Sequence, residues 1–142
     1  MTQVDFYILK NGELPERLAF ACRLTEKVYR LGHKIHIHAN TEEVGEIDEL
    51  LWQQKPESFL PHNIIGEGPN APPPIQIGSD DQKAKHSDIL INLSKEVPDF
   101  VNRYSRVVEI VPPNEEYKSL SRERFKQYRQ QGFPLKTHEI NN

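Results

Sequence analysis

An α/β layered domain built on a mostly parallel sheet is the fold class this sequence predicts, and two observations carry it. Short apolar or alternating runs at residues 4–9, 34–39, 88–93 and 106–111 read as strands. Between several of them lie longer stretches whose apolar residues recur every three or four positions, the pattern of helices with one buried face, and strands alternating with helices favour parallel pairing. A chain of 142 residues, 36% hydrophobic and 27% charged, has the size of one such domain.

In chain order, Val4, Phe6 and Ile8 alternate with Tyr7 and Leu9 in an opening strand that stops at Asn11-Gly12. Pro15 starts a helix whose apolar stripe runs through Leu18, Ala21, Leu24, Val28 and Leu31, and Gly32 ends it. Ile35 and Ile37 then alternate with His36 and His38 in a second strand. Asn40 and Glu43 have the spacing of a capping box, before a helix striped by Val44, Ile47, Leu50 and Leu51. Periodicity fails from Lys55 to about Pro74, where prolines and glycines predict a long loop, although Phe59, Leu60, Ile64 and Ile65 make it unusually apolar. Short strands near Ile75–Ile77 and Asp88–Leu93, a short helix near Asp99–Arg103 and a strand over Arg106–Val111 follow. Asn114 then caps a last helix with Glu115 and Glu116 at its positive end, and Gly132 closes it.

No apolar run approaches the roughly 20 residues of a membrane helix, and no secretory signal is visible at the start, so a cytoplasmic protein is expected. Cys22 is the one cysteine, which rules out an internal disulfide, and its place beside an apolar stripe reads as packing. His36 and His38 share a strand face, but no acid or cysteine is placed with them by spacing, so they read as occupants of a half-covered sheet face. His33 and His86, beside lysines, read as surface. Neither GxGxxG nor GxxxxGK[ST] occurs, which leaves nucleotide binding resting on fold analogy alone. No cofactor is expected.

Charge is the most informative feature. The formal net charge is −3, yet six acids crowd residues 40–60 against Lys55, and six bases crowd residues 117–136 against Glu123. At 100° per residue Lys118, Arg122, Phe125 and Arg129 share one stripe of the last helix, with Lys126 at its edge, while Tyr117, Leu120, Arg124 and Tyr128 take the opposite side. A phenylalanine set among cations suits a partner that combines carboxylates with an apolar group. Binding of bare single-stranded DNA competes for the same stripe.

Phe6-Tyr7, Leu50-Leu51-Trp52, the run Glu57-Ser58-Phe59-Leu60-Pro61-His62-Asn63, Gly66-Glu67-Gly68-Pro69, Asp88-Ile89-Leu90-Ile91 and the run from Arg122 to Phe133 occur in one order along the chain. Together they make it resemble the chi-subunit family of bacterial DNA polymerase III over essentially its whole length. The resemblance implies a Rossmann-like fold and a non-enzymatic accessory subunit at replication forks. It also implies two partners: the psi subunit, which links chi to the clamp loader, and the acidic C-terminal tail of single-stranded DNA-binding protein. It places the tail site on Val111, Lys118, Arg122, Phe125, Lys126 and the Gly132-Phe133 turn, to which the helical stripe adds Arg129. It places Phe59 on psi. Position 125 is Phe where the family leads one to expect Tyr, so a hydroxyl contact there is absent.

Overall fold

The computed structural model describes residues 2–53, 59–68 and 71–141. Parts of the predicted loop, including Lys55, Glu57, Ser58 and Pro69, lie outside the described residues. Strands Gln3–Leu9 (β1), Ile35–His38 (β2), His62–Ile64 (β3), Ile75–Gly78 (β4), Ile89–Asn92 (β5), Arg106–Val111 (β6) and Leu135–Ile140 (β7) form one sheet in the order β3-β4-β2-β5-β6-β1-β7. Every pairing is parallel. Helices Leu14–Arg30 (α1), Val44–Trp52 (α2) and Glu115–Gln130 (α3) complete a Rossmann-like α/β domain.

Parallel strands covered on both faces need apolar residues at nearly every position, and the central strands follow that rule. Ile35, Ile37, Ile89 and Ile91 point to the layer of α1 and α2, where Leu18, Ala21, Ile47 and Leu51 are buried. Cys22 lies in this layer, and burial pushes its thiol up to about 12, which fits packing rather than reactivity. On the other face Val4, Phe6, Leu90 and Val107 pack under Phe100, Val101, Tyr104 and Tyr128, supplied by a 3-10 turn at Val101–Arg103 and by α3. Of the described helices, none is long and apolar enough to cross a membrane.

Local chemistry sets the helix ends. Glu13 and Glu16 form a reciprocal capping box at the start of α1, with Pro15 in its first turn. Asn114 Oδ1 accepts from the Tyr117 backbone N–H at 3.1 Å to cap α3, as its sequence predicts. At the second helix the expected box is replaced. The Asn40 side chain donates to Glu43 Oε1 at 2.9 Å, a 3-10 turn spans Thr41–Glu43, and Arg17 takes Glu43 at 2.8 Å. An arginine buried on α1 outcompetes the backbone for that carboxylate.

Other departures have equally local causes. Leu31 ends α1 as its C-cap and is exposed, so the buried stripe stops at Val28. The unpredicted β3 forms inside the apolar part of the loop, and the unpredicted β7 is an edge strand whose residues are exposed or half-buried. The predicted short helix near Asp99–Arg103 is the 3-10 turn. His36 and His38 are enclosed, not half-covered, because Phe100 stacks on one ring and meets the other edge-on. His86 is half-buried beside Tyr104 rather than on the surface.

His36 Nδ1 shares a 2.6 Å hydrogen bond with the Tyr104 hydroxyl. Burial, reinforced by His38 and His86 nearby, lowers its pKa from 6.5 to about 3. Between those values the unfolded chain binds the proton and the folded chain does not. Stability from this group is therefore complete above pH 6.5 and falls as pH drops toward 3, by at most about 1.4 kcal/mol per pH unit. Thermal melts from about pH 7.5 to 4.5 are expected to show this decline, while the His36 ring signals in NMR stay those of neutral imidazole throughout.

Candidate functional site

The groove rests on how α3 is attached. Its inner side carries Ser121, Arg124 and Tyr128, all buried. Arg124 and Tyr128 converge on Glu109, a fully enclosed acid among the apolar residues 107–111 of β6. Arg124 Nε donates to Glu109 Oε1 at 3.0 Å, and Tyr128 Oη and Asn92 Nδ2 donate to Oε2 at 2.6 and 2.9 Å. Burial pushes the Glu109 carboxyl up, and the guanidinium and these donors pull it back. Burial and the adjacent carboxylate push the Tyr128 phenol well above its ordinary range, which keeps it a donor. Arg124 also donates to Ser121 Oγ at 3.1 Å and to the Lys95 carbonyl at 3.0 Å.

Pinned this way, α3 leaves a groove of about 250 Å³ between itself and the strands β1, β6 and β7. Phe6, Ile8, Val111 and Phe125 make its apolar lining, with Ser121 and Thr137 as hydroxyl groups and Lys118 and Arg122 as cations. Phe125 meets Phe6 edge-to-face at 5.3 Å, which fixes its ring as a wall. Outside that wall the Arg129 guanidinium lies 5.4 Å from the Phe125 ring centre. Lys118 lies 4.0 Å from Glu115 and Lys126 lies 3.6 Å from Glu123. Such exposed pairs hold their partners weakly, so both ammonium groups stay available.

The nine residues singled out in the sequence thus fall into separate places. Val111, Lys118, Arg122 and Phe125 come together in the groove, and Lys126 and Arg129 extend it as an exposed ridge. Gly132 and Phe133 lie in the turn past the C-terminal end of α3, where the Phe133 N–H donates back to the Tyr128 carbonyl at 3.2 Å. There Phe133 packs on Tyr128 at 5.9 Å and borders a different hollow, with Val97 and Pro98. Sequence reasoning missed Phe6, Ile8, Ser121 and Thr137. It also missed the anchor, although a glutamate inside Val107-Val108-Glu109-Ile110-Val111 signals a buried partner.

Phe59 sits elsewhere. It is 65% exposed, 5.9 Å from Trp52, itself 55% exposed at the end of α2. Trp52 rests on His62 at 4.5 Å, and His62 is held by the Leu60 carbonyl at 2.7 Å and by Asp48 at 3.2 Å. This aromatic pair flanks the β3 edge of the sheet, and the groove flanks the β7 edge.

The family model described as DNA polymerase III chi subunit, HolC, matches residues 1–136. The chain belongs to the chi family. Its relatives include the DNA polymerase III subunit chi of Pseudomonas aeruginosa, 38% identical over 141 residues, 99% of this chain and 98% of that one. The Haemophilus influenzae subunit is 38% identical, covering 96% of each chain, and that of Escherichia coli is 35% identical, covering 96% of this chain and 97% of its own. The resemblance read from the scattered motifs is borne out over the chain.

Two arginines two positions apart should behave oppositely. Replacing Arg124 by Ala strands a buried carboxylate and is expected to cost about 3–5 kcal/mol in chemical denaturation. Replacing the exposed Arg122 by Ala should change stability by no more than about 0.5 kcal/mol.

Proposed function

We propose that this chi-family chain is a non-catalytic adaptor of the polymerase III assembly, with two docking surfaces. The α3 groove takes the acidic C-terminal tail of single-stranded DNA-binding protein. The Trp52–Phe59 surface takes the psi subunit, which links the chain to the clamp loader. The observation that carries the reading is the groove's composition: an apolar trough with Lys118 and Arg122 among its walls, continued by Lys126 and Arg129. A peptide with several aspartates and an apolar terminal residue matches both parts, setting carboxylates on the cations and its end on Phe6, Val111 and Phe125. With Phe at 125, the hydroxyls of Ser121 and Thr137 are the side-chain hydroxyl groups lining the trough.

Bare single-stranded DNA is the weaker fit. One short ridge on a chain of net charge −3 makes few phosphate contacts. The two surfaces flank opposite edges of a seven-stranded sheet, about 25–30 Å apart at the usual strand spacing, so both partners have room at once.

A titration with a labelled tail peptide tests the groove. Arg122→Ala is expected to weaken binding about ten- to a hundredfold, and moderate salt should weaken the wild type because these charges are exposed. Unchanged peptide affinity together with lost oligonucleotide binding would instead make the ridge a nucleic-acid site. Phe59→Ala should cost psi binding about 2–4 kcal/mol while leaving peptide affinity and melting temperature in place. A fallen melting temperature with intact psi affinity would count against Phe59 as the anchor.

A further inference from the structure

The edge strand β7 has two faces, and the groove uses one of them. Thr137 lines the groove, so Lys136 and His138 on either side of it point to the opposite face, toward α1. There the register sets Lys136 beside Asp5 and His138 beside Tyr7. A row of contacts crosses from β7 to α1. His138 stacks on Tyr7 at 4.8 Å with 20° between the rings, Tyr7 meets Phe20 at 6.2 Å, and the Arg23 guanidinium lies 5.9 Å from the Phe20 ring centre. None of the three rings is fully covered, and the His138 side chain is 42% exposed. One face of its ring rests on Tyr7. Beyond the other the sheet ends, because β7 pairs with β1 alone, so a flat group placed there would continue the stack.

The charges around this row are cationic. Arg23, Lys136 and Lys27, one helical turn beyond Arg23, are exposed, and among the described residues none of them has a carboxylate partner. Asp5 is buried and already occupied, taking Arg106 at 3.0 Å and His138 at 3.3 Å. Burial and Asp5 push the Tyr7 phenol up, so it adds no negative charge. A ligand suited to the row brings flat rings and spaced anions together. A nucleic-acid single strand does so, its bases stacking on aromatic side chains while its phosphates meet lysine and arginine. An acidic peptide would satisfy the cations but leave the open ring face without a partner. The α3 ridge differs in this respect, since Phe125 is held against Phe6 as a groove wall.

We propose that this face of β1, β7 and α1 binds single-stranded DNA. One base stacks on the outer face of His138, and the strand crosses Tyr7 and Phe20 with its phosphates on Lys136 at one end and on Arg23 and Lys27 at the other. The strand is DNA because the chain belongs to a DNA polymerase subunit family.

The test is a fluorescence-anisotropy titration of the full chain with a labelled thymidine octanucleotide. An abasic octamer of the same length and charge and an octa-aspartate peptide are titrated beside it. The octanucleotide is expected to bind about tenfold or more tightly than either, because stacked bases contribute where bare phosphates do not. His138→Ala should weaken the octanucleotide about five- to tenfold and leave the abasic octamer unchanged. The double variant Arg23→Glu, Lys136→Glu, both exposed positions, should keep the melting temperature and weaken both oligomers about tenfold or more, with a shallower salt dependence. Equal affinity for the two oligomers, or octanucleotide affinity that the double variant leaves unchanged, would overturn the proposal. Tighter binding of the octa-aspartate would make the row a peptide site instead, and loss of octanucleotide binding in Arg122→Ala would move the strand to the α3 ridge.

Discussion

The Glu109 carboxylate is the constraint on which the rest of the architecture depends. It is an ionisable group with no access to solvent, and it is tolerable there because three neighbours satisfy it: Arg124, Tyr128 and Asn92. Two of these belong to α3, so the helix is held to the sheet at one rotation and one height, where apolar packing alone would permit sliding. The same cluster reaches the loop after β5, since Arg124 donates to the Lys95 carbonyl and Asn92 to the Glu96 carbonyl. One buried acid therefore positions the groove on one side and the loop after β5 on the other.

The register explains how such distant features share a framework. Gly78, His38, Asn92, Glu109, Phe6 and Thr137 are successive partners across β4, β2, β5, β6, β1 and β7. Along this single row the sheet passes from His38, enclosed against Phe100, through the polar anchor, to the floor of the groove. Gly78 is part of the fit. A Cβ there would meet Ile65 Cδ1 at 2.8 Å and His36 Nε2 at 3.1 Å, so the row ends where two side chains use the space a larger residue would fill.

The sequence revealed the elements whose patterns arise from contacts within the element itself. The alternation in β1, the aliphatic run in β5, the Asn114 cap and the cationic face of α3 were all legible because each depends on neighbours a few residues away. β7 was not legible, because an edge strand with Lys136, Thr137 and Glu139 exposed lacks the apolar signature of its buried counterparts. The groove was half legible. Lys118, Arg122 and Phe125 follow from helical spacing, but Phe6, Ile8 and Thr137 join them only through strand order, which no local pattern specifies. His36 and His38 were misjudged for a related reason: what covers them, Phe100 and Tyr104, lies more than sixty residues away. Arg124 carried the right clue, since it stood opposite the other cations, but its partner sat in a different element.

The position of β1 in the sheet bears on how the molecule comes to be assembled. Its two neighbours are β6 and β7, so Gln3 pairs opposite Arg106 and Val4 opposite Leu135. As the nascent chain leaves the ribosome, the first strand has neither of its hydrogen-bonding flanks until residues 106–140 emerge. Contacts of such long sequence separation slow folding, and the apolar Val4, Phe6 and Ile8 stay unburied meanwhile. Closure of the sheet around β1 is thereby tied to the synthesis of residues 106–140, and a product truncated before β7 would expose one whole side of β1 as an unpaired, aggregation-prone edge.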